Sequence, residues 1–169
     1  MTPGADLPAG CAEVISLDAA SERAPFALLV PHDELANESI VAEVRACATE
    51  VSVRFETGIT LIMDKGAVAD PESVFLAMAK ENPSFQVGEV RGHVALLFDP
   101  AKDPNQSHGG LVEFVEGGVL VGITADRTIT LSDLRGVAES LAPYTKGNDS
   151  SSRRTKSPRY PRYRLRFGR

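Results

Sequence analysis

No stretch of this sequence approaches the roughly 20 consecutive apolar residues that a helix needs to cross a bilayer. It holds two cysteines, Cys11 and Cys47, too few and too far apart for a zinc site or a disulfide framework. No serine sits in the Gly-x-Ser-x-Gly setting of a nucleophile elbow. No glycine-rich loop leads from a strand into a helix to cradle phosphate. The glycine pairs Gly109-Gly110 and Gly117-Gly118 lead into strands instead. Acids such as Asp64 and Asp70 are separated by unpatterned chain, so paired acid–base work has no support. Internal repeats are lacking too. These absences point to a non-catalytic chain, with no cofactor and no metal implied.

What is present is a charge division. Before Tyr144 there are nine Lys or Arg and 22 Asp or Glu, a balance of −13; from Tyr144 onward nine basic residues face one acid, Asp149, a balance of +8. The acidic body repels nucleic acid and anionic lipid, while the tail favours both. The 169 residues, 43% hydrophobic and 24% charged, are enough for about one self-sufficient domain.

The pattern divides the chain into a flexible lead-in over 1–15, a single domain over 16–143 and a disordered basic tail over 144–169. Ser16 suits an N-cap for a helix over 17–23. The apolar run 26–30 reads as a buried strand closed by Pro31. Residues 38–48 fit a strand and a helix equally well. Val51, Val53 and Phe55 alternate with Ser52, Arg54 and Glu56, a half-buried strand, and Thr57-Gly58 turns the chain into a partner over 59–63. Asp70-Pro71 starts a helix running to about Glu81, with Val74, Phe75, Met78 and Ala79 as its apolar stripe. A meander follows: 85–90 and 93–98 flank Arg91-Gly92, and 111–116 and 119–124 flank Gly117-Gly118. Ser132 is expected to cap a last helix presenting Leu134, Val137, Ala138 and Leu141. Strands joined by tight turns are antiparallel. The expected fold is therefore α+β, an antiparallel sheet of meander hairpins with two or three helices packed on it, the helices covering one face.

The run from Val14 to Pro31, the run Glu89 to Phe98, Gly117-Gly118-Val119 and the segment from Thr130 to Leu141 together resemble the domain of unknown function 4367 family. The resemblance covers about 14–142 and rests on the order of the pieces. It implies an extracytoplasmic domain of a bacterial envelope protein, of the lipoprotein or anti-sigma-associated kind, with a protein partner at the membrane. It supplies no catalytic residue. The family's Pro-Glu-Gly turn after the first strand is replaced here by His32-Asp33-Glu34-Leu35, and the basic tail is not a family feature. The segment Leu7-Pro8-Ala9-Gly10-Cys11 ends like a bacterial lipoprotein cleavage box, although its Pro fits poorly. The first fifteen residues lack the basic and apolar regions of an intact signal. Cys11 is thus left as lipidated, free or bridged to Cys47, the last requiring an oxidising compartment.

Three groups of residues are candidates for chemistry. His32, Asp33 and Glu34 follow a strand, but neighbours on an extended chain point to opposite faces, and a solvated loop explains them better. Asp99, Asp103, Asn105 and Ser107 space oxygen ligands at alternate positions of a loop that also carries His108. Calcium loops use that spacing, but the twelfth position counted from Asp103 is Phe114, not Glu, and turn formers suffice. His93 reads as a sheet residue. The tail carries Arg153, Arg154, Lys156, Arg159, Arg162, Arg164, Arg166 and Arg169, with Tyr160, Tyr163 and Phe167 between them. Arginine interleaved with aromatics suits phosphate backbones, stacked bases or an anionic surface. Two functions follow: a binding or regulatory domain of the envelope that engages a protein or lipid-like ligand through its sheet face or the 99–110 loop, and a nucleic-acid- or anionic-surface-binding protein acting through its tail.

Overall fold

The computed structural model describes residues 13–146 apart from 67, 68, 104 and 106. The tail residues Arg153 to Arg169 lie outside them. The described chain is α+β: three helices, a seven-stranded antiparallel sheet and a two-stranded one.

Helix α1 (Leu17–Arg23) starts where Ser16 accepts a hydrogen bond from the Ala19 N–H, satisfying one of the four orphan donors of a helix start. Pro25 follows its end. Strand β1 is only Leu29–Val30, shorter than the apolar run 26–30 suggests. Its partner is the two-residue β9 (Ala142–Pro143), so the other apolar residues of the run pack as loop. The ambiguous segment resolves into a single 3-10 turn, Glu38–Ile40, and strand β2 (Val41–Ala46). Pairing along β3 (Glu50–Phe55) decides for strand over helix. Strand β4 (Thr60–Asp64) returns from β3 through a turn in which Gly58 takes φ +88°, a conformation open to glycine.

Helix α2 (Pro71–Glu81) has Asp70 as N-cap, accepting from the Ser73 N–H and hydroxyl, and Pro71 in its first turn. Strands β5 (Phe85–Val90) and β6 (His93–Phe98) form a hairpin whose turn residues, Arg91 and Gly92, both have positive φ. Strands β7 (Leu111–Glu116) and β8 (Val119–Thr124) turn likewise at Gly117-Gly118. Two positive φ values in a two-residue loop match the twist of the flanking strands. Helix α3 (Leu131–Glu139) is capped by Thr130, not Ser132; the Thr130 hydroxyl accepts from the Asp133 N–H. Both residues can cap, and the buried stripe Leu134, Val137, Ala138 decides where the helix begins.

The large sheet has the order β2-β3-β4-β8-β7-β6-β5. Register places Val44, Val53, Leu61, Ile123, Val112 and Leu97 across one face. These join a single apolar core with Ala20 of α1, Leu28, and Leu134, Val137 and Ala138 of α3. Phe75, Leu96 and Phe98 are buried outside that core. They belong to the opposite face, where α2 lies over β5 and β6. The helices therefore do not share one face, as the sequence suggested. Helix α2 sits alone on the second, and half of its stripe is unfulfilled: Phe75 is buried, whereas Val74 and Met78 are 44% and 36% exposed.

The lead-in is partly structured too. Val14 bridges Arg45, and the Ile15 N–H donates to the Val44 carbonyl at 3.0 Å, covering the β2 edge. Cys47, just beyond β2, is disulfide-bonded; the sequence has one other cysteine, Cys11, which lies outside the described residues. Among the described residues no helix is long and apolar enough to cross a membrane.

Candidate functional site

A concavity lies on the face that α2 covers only in part. Cross-strand register lines up Phe85, Phe98, Leu111 and Thr124, one residue from each of four neighbouring strands. These four form the floor of a pocket of about 460 Å³, within the size range of small-molecule sites. Asn82, at the C-terminal end of α2, forms one wall; His108, Gly109 and Gly110, with Ala125 opposite, form the rim. The two phenyl rings of the floor pack tilted, with centroids 5.4 Å apart, a favourable aromatic geometry.

The loop 99–110 is held in place by its own polar residues. Asp99 accepts from the Ala101 N–H at 3.0 Å. Asp103 accepts from the Asn105 N–H and, through its second oxygen, from the Ser84 hydroxyl at 3.2 Å. The end of the loop lies against the chain after β8. A β-carbon on Gly109 would come within 1.6 Å of the Ala125 carbonyl oxygen, and one on Gly110 within 2.8 Å of a Leu134 methyl. Only glycine allows the rim to close down on Ala125 in this way.

The pocket offers an apolar floor with three polar groups around it: the Asn82 amide, the Thr124 hydroxyl and the His108 imidazole. It can accommodate an apolar group and hydrogen-bond a polar end. Of the loop acids raised as calcium ligands, Asp99 and Asp103 accept backbone N–H groups as turn caps, and among the described residues no three His, Cys, Asp or Glu side chains gather as a metal site. Asn105 and Ser107 are exposed on the same loop. His32, Asp33 and Glu34 form a turn elsewhere. The Asp33 carboxylate accepts from the Leu35 N–H, and the His32 N–H donates to Ser140 after α3. His32 and His108 are not brought together. His93 stacks on Phe114, with centroids 6.2 Å apart, and its Nε2 is 3.9 Å from Glu116.

Beside the pocket the same sheet face continues with no described helix or strand over it. Glu113, Gly122 and Ile62 follow in one row, and Val115, Leu120 and Asp64 in the next. All are half-buried. Burial pushes the Glu113 carboxyl above the usual carboxylate range. Glu50 is also raised, first by burial and then by the charge of Asp64, its cross-strand neighbour.

The sequence reading named a sheet face and the 99–110 loop, but none of the four floor residues. The signal for them is faint but real. In β6, β7 and β8 both alternate sets are largely apolar, for example Val94, Leu96 and Phe98 against Ala95 and Leu97. Such runs indicate strands covered on two sides. Comparison with protein-family models, with curated proteins and with solved structures finds no match.

Proposed function

We propose that this domain is a non-catalytic binding module of the bacterial envelope, and that it holds an amphiphilic, lipid-like ligand in the pocket between α2 and the 99–110 loop. The observation that carries this reading is the floor of Phe85, Phe98, Leu111 and Thr124 under a rim of His108 and Asn82. An apolar chain gains by leaving water for such a floor, and its polar end meets donors and acceptors at the mouth. A disulfide at Cys47 supports an oxidising compartment, in keeping with the extracytoplasmic setting that the family resemblance implies. Binding of nucleic acid or an anionic surface through Arg153, Arg154 and their neighbours stays with the tail alone. Nothing in the described body, where acids predominate, favours it.

Titration of the full chain with an environment-sensitive naphthylamine dye tests the reading. The expected result is saturable one-to-one binding that a long-chain fatty acid displaces. Leu111→Lys, in the floor, abolishes it with an unchanged circular dichroism spectrum, whereas Leu120→Lys, on the same face outside the pocket, leaves it intact. Folded protein that shows no saturable binding overturns the proposal.

A further inference from the structure

We propose that β5 is a self-pairing edge, and that two copies of this chain associate about a two-fold axis through β5 and α2. The two edges of the large sheet differ. The β2 edge is covered by Val14 and Ile15; among the described residues no strand lies beyond β5. Because Val90 and His93 close the two-residue hairpin, they form a hydrogen-bonded pair, and so do Gly88 with Ala95 and Gln86 with Leu97. The backbone groups of Phe85, Val87 and Glu89 then point outward. Two of these six are already satisfied: the Phe85 N–H donates to the Asn82 carbonyl, and the Glu89 carbonyl accepts from Arg135. The remaining four are the Val87 N–H and carbonyl, the Phe85 carbonyl and the Glu89 N–H.

Those four are complementary to themselves. With a two-fold axis at Val87, an antiparallel pair sets Val87 opposite its own copy and Phe85 opposite Glu89 of the second copy. The Val87 groups satisfy each other, and each Glu89 N–H meets the Phe85 carbonyl of the other copy. The pairs that this arrangement leaves unmade involve only the Phe85 N–H and Glu89 carbonyl, which already have partners. An exposed strand edge is an aggregation hazard that proteins cover or pair.

The helix above the edge fits the same axis. Helix α2 lies over β5 and β6. Neighbouring strands are about 4.8 Å apart, so the two α2 axes would lie about 10 Å apart, a normal helix-packing distance. Phe75 points to the sheet. Turning roughly 100° per residue, the helix puts Leu76, Glu72 and Lys80 on one flank and Val74 and Met78 on the other. Strands β4 and β5 run parallel in one sheet, and the right-handed rule for such connections directs the Leu76 flank past the edge. Leu76 is the most exposed large apolar side chain of α2, at 52%. Antiparallel α2 helices centred on Leu76 place Glu72 of one copy against Lys80 of the other, and no ion pair engages either within the described chain. Shape, backbone groups and charge thus all select a second copy as the occupant.

Sedimentation velocity of the full chain from about 1 to about 300 µM is expected to show a concentration-dependent dimer. Val87→Pro removes an outward N–H without touching the β5–β6 ladder, and it is expected to yield a folded monomer. Glu72→Lys and Lys80→Glu are each expected to weaken the dimer by roughly tenfold, because the two-fold repeats every contact. The combined exchange restores it, since each charge again meets its opposite across the axis. The charge variants leave the core untouched, so they decide the matter even if Val87→Pro does not fold. A monomer throughout the range, a larger aggregate, a dimer indifferent to these changes, or single variants that the double exchange fails to rescue would each overturn the proposal.

Discussion

The two faces of the seven-stranded sheet are built from the same strands and end in different states. Phe114, Val121 and Ile123 are sealed under α3 and the segments around β1 and β9, whereas Val115, Leu120 and Ile62, their neighbours on the other face, stay half-buried. Apolar sequence on both faces therefore does not produce two equal cores. One face receives two helices and the β1–β9 pair; the other receives a single helix set over β5 and β6. The half-buried remainder is where the pocket and a raised carboxyl are found.

The strongest way to break this contrast is a pair of truncations. Phe114→Ala is expected to cost about 3–5 kcal/mol in urea unfolding, the usual loss for a fully buried phenyl ring. Ile62→Ala on the open face should cost less, about 1–2 kcal/mol, because water already reaches part of it. Equal losses would mean that the open face is covered in solution.

Next in size is the join between the sealed face and the hairpin turns. Arg91 holds both oxygens of Glu116, and its guanidinium also donates to the carbonyls of Glu139 and Leu141. Arg91→Ala should lose about 2 kcal/mol by thermal unfolding, since it strands a half-buried carboxylate. Gly109→Ala comes close behind, at about 1–2 kcal/mol. Its β-carbon would overlap the Ala125 carbonyl, so the pocket rim has to lift. Loss of dye binding that exceeds the loss of stability would assign the rim to the site.

The smallest effects separate the faces by pH. Its hydrogen bonds with Arg91 hold the Glu116 carboxyl below the usual range. The folded state then binds its proton more weakly than the unfolded state, so its stabilisation is present above the ordinary carboxylate pKa and is lost as pH falls from there through the lowered folded value. Glu113 has the opposite sign. Burial raises its carboxyl, so the folded state holds the proton more tightly. Stability declines as pH rises from the ordinary carboxylate range through the raised value. Glu113→Gln is expected to stabilise the neutral-pH protein by under about 1 kcal/mol after solvent screening, and to flatten that decline. An unchanged pH profile would show that the open face does not desolvate the carboxyl.

Local chemistry was legible from residue order. Asp70-Pro71 starts α2, Gly117-Gly118 turns β7 into β8, and the alternation of Val51, Val53 and Phe55 turns one set of side chains inward. Capping, positive φ and period-two burial act within a few residues, so the chain carries them without reference to distant parts. The start of α3 was misplaced because Thr130 and Ser132 are chemically alike as caps, and only the packing of Leu134 and Val137 distinguishes them. The pocket was legible only as the 99–110 loop. Its floor unites Phe85, Phe98, Leu111 and Thr124, whose separation along the chain hides their common row.

What the sequence by itself determined is therefore the inventory: strands, turns, caps and an acidic body joined to a basic tail. Only the tertiary structure decided which sheet face each helix covers. Strand register and the β4-to-β5 crossover carry α2 to the far face and leave half of its stripe, Val74 and Met78, in water. Pairing between distant strands sets that outcome, and no local pattern encodes it.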